Sequence, residues 1–198
     1  MPWEHVLAAV AAHTDAAWVL LYVKRWLAAP LQLPDGTIIE RHRDTPQKSP
    51  VSPVLANLFL HCALDVWLTR EHPGVVFERY PDDALVHCAT HAQAQRVLAG
   101  IEQRLRELGI AVHPTKTRIV YCKDGKRRGR FPVVSFTFLG FMFCPRPLRN
   151  RRGEPLLAFL SAISPQALTK IGRTVRRWPP HRRIYPPSRS WPARSTRS

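Results

Sequence analysis

Asp82 and Asp83 are adjacent carboxylates set between two apolar runs, Val75-Val76-Phe77 and Ala84-Leu85-Val86. Like charges side by side repel, and burial would push both pKa values up. A divalent cation with hard oxygen ligands removes that cost, and such a cation beside phosphate is the equipment of phosphoryl transfer. Pro81-Asp82-Asp83 is equally ordinary turn chemistry, so the tripeptide alone leaves an exposed turn open. A second set of polar groups lies upstream. Asn57, His61 and Asp65 recur every fourth residue on a stretch that is otherwise apolar. Such a ridge either lines a cleft or forms a short buried polar network.

Cys62, Cys88, Cys122 and Cys144 are separated by 26, 34 and 22 residues. That is neither paired zinc-ligand spacing nor a small secreted disulfide framework. Inert core thiols in a reduced, cytoplasmic compartment are the expectation.

The elements that must position these groups follow from hydrophobic period and punctuation. Trp3, Val6, Leu7 and Val10 fall at helix spacing, and Thr14 is a cap for a second helix to Leu27. That second helix is apolar on nearly every side, which predicts burial. Pro34-Asp35-Gly36 marks a turn between short extended segments. Residues 44–53 hold three prolines and form a shaped loop. Ser52 then caps a helix over 53–69, with Pro53 in its first turn. Strands over 75–80 and 84–88 flank the acidic pair. An amphipathic helix over 93–108 stops at Gly109, and a strand is expected over 116–122. Residues 133–138 and 141–144 make a hairpin around Leu139-Gly140. Residues 156–160 form one more strand, and Pro165 opens a last helix with Leu168, Ile171, Val175 and Trp178 on one face.

Of the 198 residues, 45% are apolar and 22% charged, which predicts a folded core and excludes global disorder. No unbroken run of about 18 apolar residues exists, so a membrane span is not expected. Met1-Pro2-Trp3-Glu4 does not begin a secretory signal. Charge is unevenly spread. Residues 1–122 hold 12 basic and 12 acidic residues, while residues 123–198 hold 18 and 2. The whole formal excess of +16 therefore lies in the last third, a field suited to a nucleic-acid backbone. A solvated basic tail is the plainer alternative.

Tyr80-Pro81-Asp82-Asp83 resembles the Tyr-X-Asp-Asp turn of reverse transcriptases, specifically those of group II introns. Thr45-Pro46-Gln47, Ser52-Pro53 and Leu55-Ala56-Asn57 resemble that family's Gly-Thr-Pro-Gln-Gly-Gly-X-X-Ser-Pro-Leu-Leu-Ala-Asn segment. Gly109-Ile110 through His113-Pro114-Thr115-Lys116-Thr117 is similar to its Gly-Leu-X-Leu-X-Pro-X-Lys-Thr segment, and Phe136-Thr137-Phe138-Leu139-Gly140-Phe141 to Phe-X-Phe-Leu-Gly-Phe. These ordered blocks span roughly residues 44–144.

The resemblance implies an α/β (α+β) palm in which a catalytic β-hairpin packs on helices, with residues 1–144 as partial palm. Residues 145–178 would be a basic connector and the beginning of a thumb or maturase region, and 179–198 a disordered tail. It implies that Asp82 and Asp83 are catalytic magnesium ligands and that Tyr80 holds the turn near the primer. Pro46, Gln47, Asn57 and Lys116 would shape the nucleotide pocket, and Leu139-Gly140 would support the primer. Arg127, Arg128, Arg130, Arg149, Arg151, Arg152, Lys170, Arg173, Arg176 and Arg177 are the nucleic-acid contacts expected. RNA template and DNA primer would be the partners.

Departures from the family pattern shape a further expectation. The family carries another catalytic aspartate on an upstream palm strand, preceded by a fingers domain. Asp15 sits at a helix start and does not replace it. Lys48-Ser49 stands for the glycine pair, Asp44 for the preceding glycine, and Pro81 for the usual alanine. The sequence thus reads as an internal palm piece, weak or inactive as an RNA-directed DNA polymerase unless a separate chain supplies fingers and the missing aspartate. The alternative is a non-catalytic RNA-binding remnant that uses its basic last third.

Overall fold

The computed structural model describes residues 1–43, 45 and 49–178. Asp44, Pro46, Gln47, Lys48 and the tail expected to be disordered lie outside the described residues. The chain divides into two compact units, the first Met1–Ile119 and the second beginning at Val120. Both are α+β, as expected.

The first unit opens with α1 (Trp3–Ala11) and α2 (Ala17–Ala28), then a minimal hairpin of β1 (Leu31–Gln32) and β2 (Ile38–Ile39). Next comes one continuous 20-residue helix, Ser52–Glu71. It consists of α3 (Ser52–Leu60), a π-helical stretch (His61–Asp65) and α4 (Val66–Glu71). Strands β3 (Val76–Tyr80) and β4 (Asp83–His87) form the antiparallel acidic hairpin, followed by α5 (His91–Glu107).

Two hydrophobic clusters divide the long helix between them. Leu55, Phe59 and Ala63 join Val6 and Val10 of α1 and Val23 and Leu27 of α2. Leu64 and Leu68 join Val97 of α5, with Val75, Phe77, Val86 and Cys88 of the hairpin packed against them. Each fully buried Leu or Val contributes roughly 1.5–3 kcal/mol. By length and composition this helix is apolar enough to cross a membrane. Its buried side chains enter the two clusters, while Val54 and Val66 are exposed. Thr90 caps α5 by accepting the Gln93 N–H, and Gly109 ends it in the left-handed region at φ 70°.

Several local expectations need correction. Thr14 accepts the Ala16 N–H ahead of α2 and does not cap the helix. Ser52 lies inside the first turn of α3, whose flanking residue is Val51, because the chain is already helical there. In α2 only Val23 and Leu27 are buried, whereas Trp18, Leu21, Tyr22 and Trp26 are exposed. Residues 116–122 are not a strand, and Lys116 sits in a turn. A strand needs a neighbour to complete its ladder, and the β3–β4 sheet has two members only.

The second unit holds an antiparallel sheet in the order β5 (Phe136–Phe138), β6 (Phe141–Arg149), β7 (Pro155–Ile163), then α6 (Pro165–Arg176). Residues 145–155, the start of the region expected over 145–178 as basic connector and beginning of thumb, are the far half of β6 and its turn into β7. Phe136 stacks on Phe143 at 4.8 Å and 3° between planes, which fixes the register from its first pair. Ser164 caps α6 through the Ala167 N–H. The two-residue β5–β6 turn has Leu139 at φ 49° and Gly140 at φ 81°. Both positive values define a type I′ turn, whose twist matches the strands.

Glycine adopts that geometry without strain, whereas leucine does not. Leu139→Asn should therefore raise stability by about 1 kcal/mol, since asparagine visits the left-handed region more readily. Urea unfolding of the two proteins checks this, and an unchanged or lower midpoint counts against a strained turn.

Candidate active site

Tyr80 and Asp83 are the last paired residues of the acidic hairpin, so Pro81 and Asp82 alone make its loop. Two-residue loops favour primed turns, which need a positive φ at the first loop position. Proline fixes φ near −65°, and Asp82 is not in the left-handed region either. The turn is therefore unprimed and does not itself reinforce the strand twist. Along β3, Phe77 and Arg79 face inward, while Val76, Glu78 and Tyr80 face water. Asp82 and Asp83 are both exposed. Solvent and salt screen the repulsion between them. On the outward face Glu78 accepts a hydrogen bond from His87 at 2.7 Å.

Arg79 does most to place this turn. Its Nε donates to Asp65 Oδ1 and its Nη2 to Asp65 Oδ2, both at 2.7 Å, a fork-to-fork pair. Nη1 donates to Asn57 Oδ1 at 2.5 Å and to the Pro81 carbonyl at 2.6 Å. His61 Nδ1 lies 3.2 Å from Asp65 Oδ2. The Asn57/His61/Asp65 ridge is thus a polar network. The hydrogen bonds to Asp65 raise the Arg79 pKa, burial opposes this, and the Asp65 charge adds to the rise.

The π-helical stretch makes the network possible. Residues eight apart on an α-helix are rotated by about 80°, too far for one guanidinium to face both. The Val66 N–H bonds back to His61, five residues earlier. That wider turn reduces the rotation per residue and returns Asp65 to the line of Asn57.

The chemistry of the donors limits what metal they can hold. Asp82 and Asp83 offer part of a coordination shell, and Asp65 is committed to Arg79. Among the described residues no group of three or more His, Cys, Asp or Glu side chains gathers as a metal site. These residues therefore do not fit a complete two-metal centre.

Other expected site residues are placed as follows. Asn57 is exposed on α3 and engaged by Arg79. Lys116 is exposed in its turn, and Pro46 and Gln47 lie outside the described residues. Leu139-Gly140 belongs to the second unit. The basic residues there form two groups. Arg149, Arg151 and Arg152 flank the β6–β7 turn, and the loop bearing Arg127, Arg128 and Arg130 is tied alongside by Gly125 N–H to Leu157 C=O at 2.8 Å. Lys170, Arg173, Arg176 and Arg177 lie on α6, which starts at the opposite end of β7. All four cysteines are half-buried rather than in the core as expected, and partial burial raises the Cys88 and Cys122 thiols above their ordinary value.

A family model described as reverse transcriptase (RNA-dependent DNA polymerase) matches residues 1–143. The chain belongs to the reverse transcriptase family. No curated protein matches it. Membership implies RNA-directed DNA polymerase chemistry, divalent metal and nucleic-acid partners as general properties of such proteins. The match ends at the third residue of β6. Sequence reading passed over Arg79, although a signal existed. An arginine at an inward position of an alternating strand needs a buried acceptor, and Asp65 stood on the polar ridge.

Asp124 accepts the Lys126 and Arg127 N–H groups at 2.9 and 2.8 Å, clasping the basic loop. The Arg127 bond, then the Lys126 bond, lowers its pKa. A depressed carboxylate stabilises the fold above its unfolded value, and that contribution is lost as pH falls through the folded one. The loop should stay clasped above about pH 4 and loosen below it. Amide shifts of Lys126 and Arg127 followed by NMR check this. Asp124→Ala should abolish the transition, and its persistence would place the titration elsewhere.

Proposed function

We propose that this chain contributes the carboxylate turn of a group II intron-type reverse transcriptase. One observation carries the reading: an exposed Asp82-Asp83 pair on a two-residue hairpin tip, tied to the long helix through Arg79. A tip of this kind presents two oxygen-rich side chains to a phosphate without burying their charge. In this reading Asp82 and Asp83 are ligands for magnesium, and a further carboxylate comes from another segment or a separate chain that also brings fingers. Tyr80, on the same outward face as Asp83, lies toward the primer. Asn57, Pro46, Gln47 and Lys116 belong to the nucleotide side, and Leu139-Gly140 supports the primer strand. The four free thiols fit a reducing, cytoplasmic setting.

Primer extension on an RNA template with a DNA primer and magnesium tests the proposal. The chain alone should give no product. Mixing it with a fragment that carries fingers and an aspartate-bearing palm strand should restore extension, and Asp82→Asn should abolish it. Extension by the chain alone, lost in Asp82→Asn, would mean that a local carboxylate completes the site. Extension unaffected by Asp82→Asn would overturn the assignment.

A second reading is favoured by Arg127, Arg128, Arg130, Arg149, Arg151 and Arg152 of the second unit, each exposed to water. Under it the chain binds RNA without chemistry. Replacing Arg149, Arg151 and Arg152 by glutamine should lower the slope of log affinity against log salt by about two to three units. An unchanged slope would place the contacts elsewhere.

A further inference from the structure

We infer that Arg79 is a positioning residue, holding the Asp82-Asp83 turn at a set place on the helix by joining the Pro81 carbonyl to Asp65 and Asn57. The inference rests on the reading of that turn as the metal-ligand pair. It adds the device that aims the pair.

The first argument is covalent. The Pro81 oxygen lies in the rigid peptide plane that also contains the nitrogen and Cα of Asp82. A guanidinium 2.6 Å from that oxygen therefore constrains where Asp82 begins. The other end of the tether is firm. Arg79 and Asp65 side chains are only 9% and 18% exposed, and their fork-to-fork pair leaves little rotational freedom.

The second argument is need. A two-stranded hairpin is marginal by itself, and proline denies this one the turn that would suit its twist. Packing of Phe77 and Val86 secures the hairpin base against Leu64, Leu68 and Val97, three and more residues from the tip. The tip has Arg79. The same pairing also neutralises Asp65, so that the helix carboxylate does not draw a cation away from the turn. A lysine could meet Asp65 but has no planar fork to span Asp65, Asn57 and Pro81 together.

The test compares the full chain with Arg79→Lys and Asn57→Ala, by amide nitrogen relaxation at Asp82 and Asp83 and by titration with Mn²⁺ as the probe. The wild-type amides should have order parameters of about 0.85, falling below about 0.6 in Arg79→Lys. Mn²⁺ affinity should fall about tenfold in Arg79→Lys, as a loosened ligand pair loses preorganisation, and vanish in Asp82→Asn. A purely stabilising ion pair would shift the urea midpoint and leave local order in the folded protein untouched, and that result overturns the proposal. Should Arg79→Lys fail to fold, Asn57→Ala decides the matter, because it cuts an exposed contact without emptying the core. It must lower the same order parameters, and unchanged values overturn the role. If the wild type binds no Mn²⁺ while Arg79→Lys still loosens the turn, positioning stands and the metal-ligand reading falls.

Discussion

One guanidinium joins the three parts of the first unit that matter for function. Arg79 enters from β3, meets Asp65 on the π-helical stretch and Asn57 on α3, and reaches forward to its own turn at Pro81. Burying a charged side chain to this degree is costly unless its partners are complete. Here the carboxylate fork, an amide oxygen and a backbone carbonyl supply them. The interaction then acts less as a source of stability than as a register device, since only one placement of hairpin on helix satisfies it.

The two hairpins with two-residue loops among the described residues solve the same closure problem differently. Leu139-Gly140 accepts two positive φ values, and the strained leucine is the cost of a turn whose twist fits its strands. Pro81-Asp82 avoids positive φ and leaves the twist unmatched, so the anchor comes from outside the hairpin. This is why an inward arginine sits one residue before Tyr80, whereas Leu139 and Gly140 have no comparable tether to a buried charge.

Two helices carry stripes of exposed apolar residues. Trp18, Tyr22 and Trp26 form an aromatic ladder along α2, with neighbouring centroids 6.5 and 6.3 Å apart. Leu168, Ile171, Val175 and Trp178 run along α6 opposite its arginines, and all four are exposed. Of the apolar residues of α2, only Val23 and Leu27 are buried members of the core, with Val19 and Leu20 packed against it. Patches of this size favour association.

The sequence alone determined the elements and the motif. The apolar runs on either side of Pro81-Asp82-Asp83 marked the hairpin, helical spacing marked Val97 to Leu105, and the ordered blocks marked the family. These features are local, so composition and spacing are sufficient. Tertiary structure decided three other things. The uncovered face of α2 depends on what packs against it, which an apolar sequence does not specify. Residues 116–122 do not become a strand although the Tyr121 N–H reaches the Val133 carbonyl at 2.9 Å, because no ladder forms there and β-structure is a property of neighbours. The choice between cleft and network for Asn57, His61 and Asp65 turned on a π-helical stretch and on an arginine 14 residues beyond Asp65. Hydrophobic pattern does not encode helix winding, and only the folded backbone brings those atoms within hydrogen-bond reach.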